Sequence, residues 1–149
     1  MIAVEALLSS GHSLEKLCLT GYHIYSEFAN SISNQHGQSL KVLNLKRTVW
    51  EDFESFKLIF KKCVQLKELN LNIYVVNSYV LSNEEVLTFL VKNLTTSIEK
   101  LSIPHNYLKD EQIHTLVRRC KNLKSLHLIN NAIGNSNSWF NISPREGIN

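Results

Sequence analysis

Residues 120–134 read CKNLKSLHLINNAIG, and the spacing of their apolar positions decides the fold. Leu123, Leu126 and Leu128 are followed by Asn131 and Ile133. A strand alternates strictly in twos and would not give the gap of three; a helix would not give the gap of two. The same spacing returns in SIEKLSIPHNYL as Ile98, Leu101, Ile103, Asn106 and Leu108. Its core triplet returns as Leu66, Leu69, Leu71, as Leu40, Leu43, Leu45, and as Leu14, Leu17, Leu19. The steps between first members are 26, 26, 32 and 25 residues.

A pattern L-x-x-L-x-L-x-x-N recurring every 20–29 residues or so is the strand and tight turn of a leucine-rich repeat. The expected fold class is therefore α/β: a leucine-rich-repeat solenoid of about five strand-helix repeats, with a concave parallel sheet and convex helices. Residues 1–134 form the array, and 135–149 are expected to be a polar, disordered tail. Helical patterns fill the gaps between triplets. Ile113, Leu116, Val117 and Cys120 form one apolar face behind Asp110 and Glu111, and Phe53, Phe56, Phe60 and Cys63 form another. Val86, Leu90 and Leu94 make a third stripe, with Ser82 or Asn83 as its cap; Val4, Leu7 and Leu8 lead the chain, and Phe28 with Ile32 give only a short stripe. Three residues before each triplet stand Gly11, Gly37, Cys63, Thr95 and Cys120, all small, as a close turn from helix to strand requires. This register makes Cys63 and Cys120 packing residues, not nucleophiles.

Composition excludes several function classes. The chain has 149 residues, 44% hydrophobic and 19% charged, with a formal net charge of +3. No apolar run is long enough to span a bilayer, and the first residues lack a basic leader, so no membrane partner and a nuclear or cytoplasmic location are expected. Three cysteines without a C-x-x-C pair indicate neither a disulfide framework nor a zinc site. The glycosylation patterns at Asn93 and Asn141 matter only in a secreted chain. Basic clusters at Lys61-Lys62 and Arg118-Arg119 fall in the last turns of helices, where cations complement the dipole. With no aromatic stacking module beside them, no nucleic-acid partner is expected. The six histidines are scattered, and no metalloprotease, nucleophile-elbow or phosphate-loop motif is present, so neither catalysis nor a metal nor a cofactor is expected.

The remaining class is protein binding. Alternation within each strand sends the leucines inward and the residues between them onto the concave face. The candidate protein-binding residues are Lys16 and Cys18; Asn44 and Lys46; Glu68, Asn70 and Asn72; Lys100 and Ser102; and His127. Asn106 and Asn131 are expected to close the turns after their strands. The equivalent Tyr22, Thr48 and Tyr74 require a different closure. The long third step comes from Asn72–Asn83, read either as an extension of the strand or as a loop on the rim.

The stretches LVRRCKNLKSLHL and FKKCVQLKELNL resemble the cysteine-containing leucine-rich repeats of F-box proteins, over roughly residues 12–134. The resemblance implies substrate-recognition repeats of an SCF-type ubiquitin-ligase receptor, whose partner is a protein substrate, often phosphorylated. No F-box module precedes residue 12, so the chain reads as a fragment lacking it. A ligase adaptor subunit is an expected partner only with an F-box upstream. The alternative is a freestanding leucine-rich-repeat scaffold or inhibitor with no ligase role.

Overall fold

The middle leucines of the five triplets lie side by side. Leu17 pairs with Leu43, Leu43 with Leu69, Leu69 with Leu101 and Leu101 with Leu126, each in parallel register. The structure, a computed structural model, describes residues 6, 8, 10–74, 83–103, 108–128 and 138–141. In chain order its elements are β1 (Lys16–Cys18), β2 (His23–Ile24), α1 (Ser26–Ser31), β3 (Val42–Trp50), α2 (Phe53–Lys62) and β4 (Glu68–Tyr74). There follow α3 (Asn83–Asn93), β5 (Lys100–Ser102), α4 (Asp110–Arg119), β6 (Ser125–Leu128) and β7 (Ser138–Asn141). The described residues thus form a mixed α/β structure, with six parallel strands and four α-helices.

Sheet order runs β1-β3-β4-β5-β6, with β2 beyond β1 also paired to β3, so from β3 to β6 each strand lies beside its neighbour in sequence. A repeated backbone device sets this register. The carbonyl of Glu15 accepts from the N–H groups of both Lys41 and Val42, and that of Lys41 from Lys67 and Glu68. Lys67 and Glu99 repeat the arrangement toward the next strands. Of the fifteen triplet positions only Leu14 is not buried. Each buried Leu or Ile side chain in this row contributes roughly 1.5–3 kcal/mol.

The helices complete the core. Asp52 caps α2, accepting from the Ser55 N–H at 2.6 Å, and the following turn buries Phe56, Ile59 and Phe60. Phe56 lies edge-on to Trp50, with centroids 5.0 Å apart, and tilted against Phe60 at 4.6 Å. Val86, Leu90 and Leu94 of the third stripe are buried as expected. In α4 the buried face is Leu116 with half-buried Ile113, whereas Val117 is 37% exposed. The stripe is narrower than its spacing suggests, because α4 packs along one flank against α3.

Three local features depart from simple repetition. The weak pattern after Ser26 becomes one turn and a half of α-helix that continues as a π-helical turn, Ile32–His36. Fully buried His36 ends this turn; its Nδ1 accepts from the Leu14 N–H at 3.4 Å, and Nε2 lies 3.2 Å from the Leu8 carbonyl. In β3 the register shifts between Leu45 and Thr48, and Arg47 adopts a left-handed φ of 56°. Buried Thr48 closes this bulge by donating its hydroxyl to the Leu45 carbonyl at 2.9 Å, which is how a repeat without the turn asparagine is finished. Within the stretch expected to be a disordered tail, Ser138–Asn141 instead forms β7, antiparallel to β6.

Cys63 and Cys120 are buried, at 1% and 2% exposure, and end α2 and α4 with closely similar dihedral angles. Burial pushes the Cys63 thiol up to about 12 and raises that of Cys120 as well. Neither carries a thiolate at neutral pH, so both serve packing. No helix among the described residues is long and apolar enough to cross a membrane. Of the sequence expectations, those for Val4, Leu7, Ser82, Asn106 and Asn131 fall outside the described residues, as does the stretch 75–82. Asn72 to Tyr74 continue β4.

Candidate functional site

The sheet face opposite the helices carries a groove of about 560 Å³ that crosses all five repeats. Nine of the ten residues singled out from the sequence line it: Lys16, Cys18, Asn44, Lys46, Glu68, Asn70, Lys100, Ser102 and His127. Asn72 does not, because it lies on β4 beyond Asn70, where β3 bulges and the register with its neighbour is lost. Val42 and Ser125 also line the groove, and the strand backbone at Leu43, Leu69 and Leu101, whose side chains are buried in the core, forms its floor.

Strand pairing sets these side chains in rows. One row runs Lys16, Val42, Glu68, Lys100, Ser125, and the next runs Cys18, Asn44, Asn70, Ser102, His127. With strands about 4.8 Å apart, neighbours within a row can bond. The Lys100 ammonium donates to Glu68 at 2.6 Å, which raises the lysine above its ordinary value. Both groups are well exposed, so the pair fixes side-chain geometry more than it stabilises the fold. In the second row Ser102 Oγ lies 3.1 Å from His127 Nδ1, and Asn44 Oδ1 accepts from the Lys46 N–H at 3.1 Å. Asn70, midway along this row, keeps its Oδ1 buried with no hydrogen-bond partner among the described residues.

His127 reports on the electrostatics of the groove. Burial, and then the nearby Lys46 ammonium, hold its imidazole below the ordinary value of 6.5. A base whose proton is disfavoured in the fold takes it up first in the unfolded chain. The stabilisation from neutral His127 is therefore present above pH 6.5 and is lost as pH falls through its folded value. Titrated by NMR through its ring protons, His127 is expected to show a midpoint below 6.5. Replacing Lys46 with Met should move that midpoint only part of the way back, since burial is the larger cause. A midpoint at or above 6.5 in the intact chain would contradict this account.

Chemically, the face offers donors and acceptors in fixed rows over a floor of strand backbone, arranged for contact over an extended length. Among the described residues no three His, Cys, Asp or Glu side chains converge as metal ligands. Cys18 is exposed beside Thr20 on β1, while His127 is on β6, with β3, β4 and β5 between them in the sheet order. Sequence reasoning missed the bulge at Arg47, for which the only written signal is the β-branched pair Thr48-Val49 continuing the strand. No protein-family model matches the chain, and no curated protein matches it either.

Proposed function

We propose that the chain is a leucine-rich-repeat solenoid whose open sheet face recruits a protein, as the substrate-recognition repeats of an SCF-type ubiquitin-ligase receptor. The observation that supports this reading is the polar groove continuous over five aligned strands. Five strands span roughly 20 Å at 4.8 Å spacing, which matches an extended segment of about six residues. At its centre the Asn70 Oδ1 has no hydrogen-bond partner among the described residues.

A photocrosslinking amino acid placed at Asn44, in the groove, tests the proposal in cells against one placed at exposed Thr115 on α4. The expected result is one protein crosslinked from position 44 and not from 115. Its half-life should lengthen when the gene product carrying these repeats is depleted and shorten again on restoring them joined to an F-box, but not on restoring the same fusion with Asn70→Ala and Lys100→Glu. A partner captured from position 44 whose half-life never changes would replace the ligase role with that of a freestanding scaffold or inhibitor. Crosslinking from 115 alone would overturn the binding face itself.

A further inference from the structure

Charge on this chain is sorted by edge. Where helices end and strands begin, Lys61 and Lys62 close α2, Lys92 lies in the last turn of α3, Arg118 and Arg119 close α4, and Lys121 follows in the turn. Lys41, Lys67 and Lys124 stand one residue ahead of β3, β4 and β6 on the same edge. All nine are exposed. Among the described residues only Glu15 and Glu99 answer them there, pairing with Lys41 at 2.5 Å, Lys67 at 3.5 Å and Lys124 at 2.8 Å. On the opposite edge, where helices begin, stand Asp52, Glu54, Glu84, Glu85, Asp110 and Glu111, against a single helix-capping cation there among the described residues, Lys109, paired with Glu84 at 2.7 Å.

Helix dipoles explain why acids open the helices and bases close them. They do not explain Lys121, which lies past the end of α4, or the three lysines that precede strands. The basic edge is also one continuous surface. Its turns are stitched together: Thr95 Oγ1 donates to the Val64 carbonyl at 2.9 Å, and Ser97 Oγ to that of Leu66 at 2.8 Å. Asn122 Nδ2 donates to the Thr96 carbonyl at 3.2 Å. From α2 to α4 is two helix spacings, about 16–20 Å. An extended chain covers that span in about six residues.

We propose that this basic edge is a second docking surface, distinct from the groove, and that it takes an extended acidic segment of a protein. The occupant follows from charge complementarity along a line: an edge of cations one helix spacing apart, with no exposed aromatic ring among its described residues to stack a nucleotide base. The large exposed apolar side chains among the described residues are Val64 and, in the last turn of α4, Val117, too little to insert into a bilayer.

The test is fluorescence anisotropy on the full chain, with a labelled twelve-residue peptide rich in Glu, a twenty-base-pair DNA duplex and phosphatidylserine vesicles as separate probes. The peptide is expected to bind in low salt and to weaken at least tenfold on going to 0.3 M salt. The Lys61→Glu, Lys62→Glu, Lys121→Glu variant should lose at least tenfold in affinity. Arg47→Glu with Lys57→Glu, off this edge, should change it less than twofold. Circular dichroism checks that both variants fold, and milder Lys→Gln changes at the same three positions should give an intermediate loss. Equal binding by both variants, or tighter binding of the duplex or vesicles than of the peptide, would overturn the proposal. So would salt-sensitive self-association of the chain through its own acidic edge. Because the groove residues are untouched, loss of the acidic peptide and loss of groove crosslinking are separable results.

Discussion

Replacing Phe56 with Ala is expected to cost about 3–5 kcal/mol, the range for truncating a large buried aromatic. The ring is 1% exposed and sits where four others meet: Trp50 and Phe60 closely, Phe53 and Phe89 at 6.1 and 6.2 Å. These partners come from β3, α2 and α3, so no single helix can slide inward to fill the space. In a chain of this length about 2–4 °C is lost per kcal/mol, and the thermal midpoint should fall by roughly 10 °C or more. Phe53, half-buried at the edge of the same cluster, should cost less than half as much when truncated. A denaturant titration giving under about 1 kcal/mol for Phe56→Ala would show that the aromatic cluster does not hold the sheet to its helices.

The second large effect is at Gly37, and it contrasts with two other glycines. Gly11 and Gly21 have φ of 76° and 79°, with open space where a methyl group would stand, so Ala there costs only the left-handed backbone, about 1–2 kcal/mol. Gly37 has an ordinary φ of −54°. A Cβ on it would meet the Ser33 carbonyl oxygen at 2.4 Å and the Lys62 carbonyl oxygen at 3.0 Å. Both are backbone atoms: one belongs to the π-helical turn, the other to the end of α2. Relief therefore requires moving one unit against the next. Gly37→Ala should cost about 3 kcal/mol, more than either left-handed glycine. Measured stabilities in the reverse order would mean that the two units do not meet at this turn.

How far the sequence could be read follows from which forces repeat. The triplets were legible because every repeat buries the same positions, Leu14 alone excepted, and the middle leucines do lie in one register. The rows of the groove followed by alternation, and nine of ten candidate residues line it. Features set by single neighbours were not legible. Helix α1 widens into a π turn because buried His36 reaches back to Leu8 and Leu14, contacts 28 and 22 residues away that no local pattern encodes. Asn72 missed the groove because one added residue in β3, at Arg47, moved the register of its neighbour. The strand at Ser138–Asn141 was hidden because a four-residue antiparallel edge takes its hydrogen bonds from β6, and the polar residues on either side of Trp139-Phe140 read as a tail.

The unequal lengths of the seams have a mechanical consequence. β3 and β4 share six aligned residue pairs on either side of the bulge, whereas β1–β3, β4–β5 and β5–β6 share three each. The β3–β4 seam is the keel of the sheet, and the shorter seams are planking fastened outward from it. Opening starts at the outer planks and reaches the keel last, so amide protection is graded from Leu43 and Leu69 toward Leu17 and Leu126 rather than uniform. Anything that grips Lys16 and His127 at once ties β1 to β6 across the keel. Its effect on rigidity is then greatest at the ends, far from where the sheet is already strongest.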